Sequence, residues 1–133
     1  MKYALDTNII SYILRGDKKV KQRWLQEEKK GNHSVIPLIV FYEVRRGLLA
    51  NNAIVKMHSF EELCVEFGVH DLCLEDMKAA AEIYANCKRL GKPINDADIL
   101  IAAQCATNGY VLVTHNIKHF EGIDKLHIED WAE

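Results

Sequence analysis

Short apolar runs alternating with longer stretches of helical periodicity constrain this chain more than any other feature. Lys2–Leu5, His33–Ile36, Cys64–Val69 and Tyr110–Val113 have strand length and composition, and Leu126–Ile128 makes a short fifth. Between them Asp17–Lys30 reads as a helix, capped by Asp17 and stopped by Gly31. Leu38–Leu49 and roughly Asn52–Glu62 read as two more, and Glu75–Leu90 is closed by Gly91 and Pro93. Asn95 or Asp96 then caps Ala97–Thr107, which Asn108-Gly109 ends. No repeat, low-complexity tract or linker interrupts the series, so residues 1–133 are expected to form one domain. Strand–helix alternation predicts an α/β fold with a mainly parallel sheet. Ligands of such sheets bind outside the carboxyl ends of the strands. That rule directs attention to Asp6-Thr7-Asn8 after the first run and Thr114-His115-Asn116 after the fourth.

Composition narrows the classes of function. With 49% hydrophobic and 27% charged residues, the chain is ordinary for a globular protein. No apolar run approaches the roughly 20 residues of a membrane span. Asp6 cuts the first apolar stretch too early for a signal peptide, so a cytoplasmic protein is expected. Cys64, Cys73, Cys87 and Cys105 follow no metal-site spacing and are expected as small apolar residues in a reducing compartment. A formal net charge of −2 excludes nucleic-acid binding by bulk attraction, though not by local basic surface. Lys18-Lys19, Lys29-Lys30, Arg45-Arg46 and Lys88-Arg89 are isolated basic pairs, each read as a solvated helix face before a phosphate contact.

Three carboxylates stand out. Asp6 ends an apolar strand, where it either caps the following turn, Thr7–Leu14, or serves a site. Glu43 lies in the apolar stretch Val40–Val44, so it needs a partner, either Arg46 or a cation. Asp98 shares a helix face with Ile101, Ala102 and Cys105, which aims it toward the core side, although the helix dipole alone would favour an acid there. Asp96 lies roughly 200° around the same helix and is expected to cap it. Gathered in one cleft, Asp6, Glu43 and Asp98 would repel one another unless a cation sat among them. An oxygen-only donor set suits Mg²⁺ or Mn²⁺. A metal held so can polarise a phosphate oxygen and activate water against a phosphodiester.

Leu5-Asp6-Thr7-Asn8, Glu43 followed by Gly47, Gly91-Lys92-Pro93-Ile94 leading to Asp98–Ala103, and Val113-Thr114-His115-Asn116 with Phe120 together resemble the PIN-domain toxins of the VapC type. The likeness runs on to Ile128-Glu129-Asp130-Trp131, nearly the whole chain. It implies a twisted parallel sheet flanked by helices, with an acidic cleft at the strand ends. It makes Asp6 and Asp98 magnesium ligands, with Glu43 completing the site. It further implies an endoribonuclease that cuts structured RNA, initiator tRNA in similar members, and leaves a 5′-phosphate. Such proteins form homodimers and are silenced by a small VapB-type antitoxin whose C-terminal segment enters the groove. Two departures bear on the site. Asn116 stands where the family carries a fourth acid and would complete the catalytic group without charge, and His119 replaces an acid before Phe120. His115 and His119, four residues apart, lack a third ligand for zinc, and His119 is expected at the surface.

Two rival readings use the same residues. A haloacid-dehalogenase-like phosphatase also opens with an Asp after its first strand, but needs a second Asp where this chain has Asn8. A PIN-like module that only grips RNA or a protein partner would have no use for clustered carboxylates.

Overall fold

The computed structural model describes every residue from Met1 to Glu133. The elements are β1 (Lys2–Leu5), α1 (Thr7–Leu14), α2 (Lys18–Lys29), β2 (His33–Pro37), α3 (Leu38–Ala50), α4 (Ile54–Phe67), β3 (Val69–His70), α5 (Leu74–Arg89), α6 (Asp96–Asn108), β4 (Val111–Val113), α7 (Ile117–Phe120) and β5 (His127–Glu129). The five strands form one sheet in the order β3-β2-β1-β4-β5, and every neighbouring pair is parallel. Helices flank it, the α/β architecture that the alternation predicts. Tyr3, Ala4 and Leu5 of β1 and all of β4 are buried, as strands covered on both faces must be. The order reverses between β1 and β4, which opens a crevice at their carboxyl ends.

Helix α6 shows how the residues choose their neighbours. Ile101, Ala102 and Cys105 join the large core cluster with β1 and β4, whereas Ile99 and Ala103 pack against Ala80 of α5. Buried Asp76 locks the α5–α6 pair. Its carboxylate accepts hydrogen bonds from the Cys73 backbone N–H at the start of α5 and from Thr107 and Asn108 at the end of α6. On the other flank, Glu27 of α2 accepts from Asn32, Tyr3 and Arg23, and Arg23 also donates to Glu129 of β5. These bonds, with that from Asn32 foremost, hold the Glu27 carboxyl down at about 2.

Several local expectations need correction. Cys64–Val69 is not a strand. Helix α4 runs on to Phe67, because Phe60, Leu63 and Phe67 continue a helical stripe into the core. Gly68, at φ 82°, ends it, and only Val69–His70 extends as strand. The helix expected at Asn52–Glu62 is therefore both later and longer. Asp96 does not cap α6. Asn95 does, accepting from the Asp98 N–H at 2.8 Å, while Asp96 is an exposed first-turn residue. All four cysteines are free, but only Cys105 is fully buried, and Cys73 is exposed at the head of α5. No helix is long and apolar enough to cross a membrane.

Candidate active site

Asp6 occupies the crevice between β1 and β4. Its backbone N–H completes the sheet by donating to the Val113 carbonyl at 2.9 Å, so the carboxylate emerges where the two strands end. Only 5% of the residue is exposed. Oδ1 accepts from the Thr7 N–H at 2.8 Å, which makes Asp6 the cap of α1 while its carboxylate stays at the crevice. Oδ2 accepts from the Thr114 hydroxyl at 2.8 Å and, at 3.4 Å, from the Asn8 amide. The two sequence readings of Asp6 are therefore compatible.

Glu43 reaches the same crevice from α3. Its Oε1 accepts from the Thr7 hydroxyl at 2.8 Å, and Oε2 lies 3.8 Å from Arg46. The helix is less enclosed than its apolar sequence implies, since Tyr42 is exposed and Glu43 keeps partial access to solvent. Asp98 arrives from the first turn of α6, on the face of Ile101, Ala102 and Cys105 as its spacing predicts. Its Oδ2 accepts from the Asn95 amide at 3.2 Å and lies 3.3 Å from Nδ1 of His119. Its Oδ1 has no protein partner.

The carboxyl group of Asp6 is raised above its ordinary range, chiefly by burial. Hydrogen bonds from Thr114 and Thr7 oppose the rise, and the charges of Asp98 and Glu43 add to it. The three acids thus share one electrostatic neighbourhood. No group of three His, Cys, Asp or Glu side chains stands close enough together to hold a metal ion by itself. The donors are nonetheless hard oxygens around a carboxylate that is costly to ionise alone. This fits a hydrated divalent cation that keeps several waters better than a dry protein cage.

The loop after β4 closes the site. The Thr114 hydroxyl accepts from the Asn116 N–H at 3.0 Å, so Asn116 stands two hydrogen bonds from Asp6 with its side chain exposed. Asn8 bridges the strand ends: its Oδ1 accepts from the His115 N–H at 3.0 Å. His115 pairs with Asp130 at 3.0 Å and His119 with Asp98, so the two histidines do not converge on a zinc ion. Sequence reasoning missed the bridging roles of Thr7, Asn8 and Thr114, although it marked out both segments. It also missed the His119–Asp98 contact, which joins residues 21 apart. A groove of about 620 Å³ lies elsewhere, between α5 and residues 121–125.

Comparison with known proteins agrees with this architecture. A family model described as PIN domain matches residues 3–126. Ribonuclease VapC1 of Haemophilus influenzae strain R2866 is 28% identical over 138 aligned positions that span all of both chains. The tRNA(fMet)-specific endonuclease VapC of Shigella flexneri is 27% identical, over 99% of each. Among solved structures, VapBC2 from Rickettsia felis bound to a promoter DNA fragment superposes with a TM-score of 0.91 at 26% identity, covering 98% of this chain and 99% of that one. VapBC-1 from nontypeable Haemophilus influenzae gives 0.88 at 27% identity over the full length of both. With its sheet order, its end-to-end alignment and its matched family model all in agreement, the chain belongs to the PIN-domain family, and its likeness within that family is to the VapC proteins.

Proposed function

We propose that this protein is a divalent-metal-dependent endoribonuclease, the toxin of a type II pair of the VapBC kind, folded as one PIN domain over residues 1–133. The observation that carries the reading is buried Asp6 at the β1/β4 crevice, its carboxyl raised by burial and by the charges of Asp98 and Glu43. Asp6, Asp98 and Glu43 would hold Mg²⁺, or Mn²⁺, directly or through water. A bound cation there would neutralise the three acids, polarise a phosphate oxygen and activate a water for in-line attack.

The surrounding side chains have definable tasks. Thr114 and the Thr7 N–H orient Asp6, and Thr7 with Arg46 steadies Glu43. Asn95 and His119 occupy one oxygen of Asp98 and leave the other for the cation. Asn116 offers an uncharged amide at the mouth of the crevice. The relatives named for RNA cleavage support RNA as substrate, and one named for tRNA(fMet) makes initiator tRNA the first target to test. Asn8 argues against phosphatase chemistry, because its amide is engaged in bridging the strand ends.

The partners follow from the same likeness. The VapBC complexes among the structural relatives support a VapB-type antitoxin. Exposed Tyr42, Leu49, Ile54 and Val55 on α3 and α4 offer it an apolar surface. A homodimer is supported by exposed Leu74, Met77 and Tyr84 along one face of α5. Cytoplasmic RNA would be reached directly. The test is cleavage of tRNA by the purified protein in chelator, followed by added Mg²⁺ or Mn²⁺. Cleavage lost in chelator and restored by the ion supports the proposal; undiminished cleavage in excess chelator would sink it.

A further inference from the structure

Helix α1 carries a surface that the catalytic reading leaves unused. Asn8 and Tyr12 of α1 and its C-cap residue Arg15 lie at i, i+4 and i+7, on one face of the helix that Asp6 caps. The Asn8 amide touches Asp6 at 3.4 Å, and at 1.5 Å rise per residue Arg15 stands roughly 10 Å farther along. The Arg15 Cζ lies over the Tyr12 ring, 4.7 Å from its centroid. His115 meets the same ring edge-on, with centroids 5.8 Å apart and planes at 80°. His115 is itself fixed twice, by its N–H to Asn8 and by Nδ1 to Asp130, whose side chain is 6% exposed. Arg23 and Arg46 pair with carboxylates, whereas exposed Arg15 makes only the ring contact.

We propose that Arg15, held over the Tyr12 ring that His115 braces edge-on, is a binding residue for the RNA backbone beside the cleavage site, and that the Asn8–Tyr12–Arg15 face is the track along which the strand leaves the crevice. The inference rests on the ribonuclease reading above and adds a strand path to it. Three carboxylates repel a polyphosphate, and a net charge of −2 supplies no general attraction. The needed attraction must therefore come from placed cations. A guanidinium with one face on an aromatic ring keeps its N–H edges free for a phosphate, and the ring limits the entropy lost on binding. Tyr12 is then a positioning residue that acts through Arg15.

The probe is a fluorescently labelled oligouridylate, bound to the full chain carrying Asp98→Asn to suppress cleavage, with affinity measured across a salt series. Arg15→Gln should weaken binding about tenfold. It should also make the dependence of log affinity on log salt shallower by about 0.7, the loss of one phosphate contact to a single strand. Tyr12→Leu should behave like Arg15→Gln, and Tyr12→Phe like the parent. Lys29→Gln removes the same charge at the end of α2, which leads into the amino end of β2 on the far side of the sheet, and should change neither quantity. Arg15 is exposed, so melting temperatures should match. An unchanged slope in Arg15→Gln overturns the track, while metal-dependent cleavage by the wild-type chain would leave the ribonuclease reading standing. Failure of the Asp98→Asn parent to bind RNA, together with failure of the wild-type chain to cleave it, overturns both. If Arg15→Gln instead loosens a protein partner and leaves RNA binding unaltered, the face belongs to a protein interface and the proposal fails.

Discussion

Asp98 and Asp96 are two residues apart on one helix and meet different surroundings. Asp98 sits over the crevice with one oxygen held by Asn95 and His119, and Asp96 faces solvent. Asp98→Asn should abolish cleavage while the melting temperature holds or rises, because removing one of three like charges relieves repulsion in the metal-free protein. Asp96→Asn should keep activity within an order of magnitude and leave stability nearly unchanged. An essential Asp96 with a dispensable Asp98, read by RNA cleavage and thermal melting, would refute the assignment. Asp6 allows a sharper test by pH. Its carboxyl is raised in the folded state, so ionised Asp6 costs stability at neutral pH. That cost shrinks as pH falls through the folded value and is gone below the ordinary carboxylate value. Asp6→Asn retains a good cap and should therefore stabilise the metal-free fold at pH 7, with its advantage fading in acid. Denaturant melts at several pH values measure this, and a variant less stable at pH 7 than at pH 4, relative to wild type, would contradict it.

Helix α6 and helix α4 show where element-level reasoning holds and where it slips. The stripe of Asp98, Ile101, Ala102 and Cys105 was legible because helical periodicity is a local property, and its register is the one observed. Asn95 and Asp96 are both good caps by residue type. The choice between them depends on one residue of phase, which periodicity does not resolve. Asn95→Ala should cost about 1 kcal/mol. It should also reduce cleavage, because the Asn95 amide orients Asp98. A thermal melt and a cleavage assay on one variant check both, and loss of neither would show that the cap is idle. Helix α4 was cut short because Cys64–Val69 is brief and apolar, a pattern shared by strands and buried helices. Phe60 and Leu63, buried on the same face as Phe67, decided for helix.

At the scale of the whole molecule, the sheet is held on one flank by a charge network that the alternation of elements did not reveal. Glu27 binds Tyr3, Asn32 and Arg23, and Arg23 carries the network on to Glu129. With its carboxyl held at about 2 rather than 4.5, Glu27 contributes stability that is complete above its ordinary value and is lost as pH falls toward 2. Glu27→Gln should destabilise by about 2 kcal/mol at pH 7. The gap from wild type should close between about pH 4.5 and pH 2, as chemical denaturation across that range would show. A gap constant down to pH 2 would place the stabilisation elsewhere. Periodicity, capping residues and strand composition depend on neighbours in the chain, so the sequence by itself determined the α/β class, the parallel sheet, most helices and the three acids worth suspecting. Asp6 and Asp98, however, are 92 positions apart, and Thr114 is farther still. Only the tertiary structure decided that they meet. The physical reason is the strand order: β4 returns past β3 and β2 to pair with β1. That choice depends on burying two apolar strands against each other, and no local pattern records it.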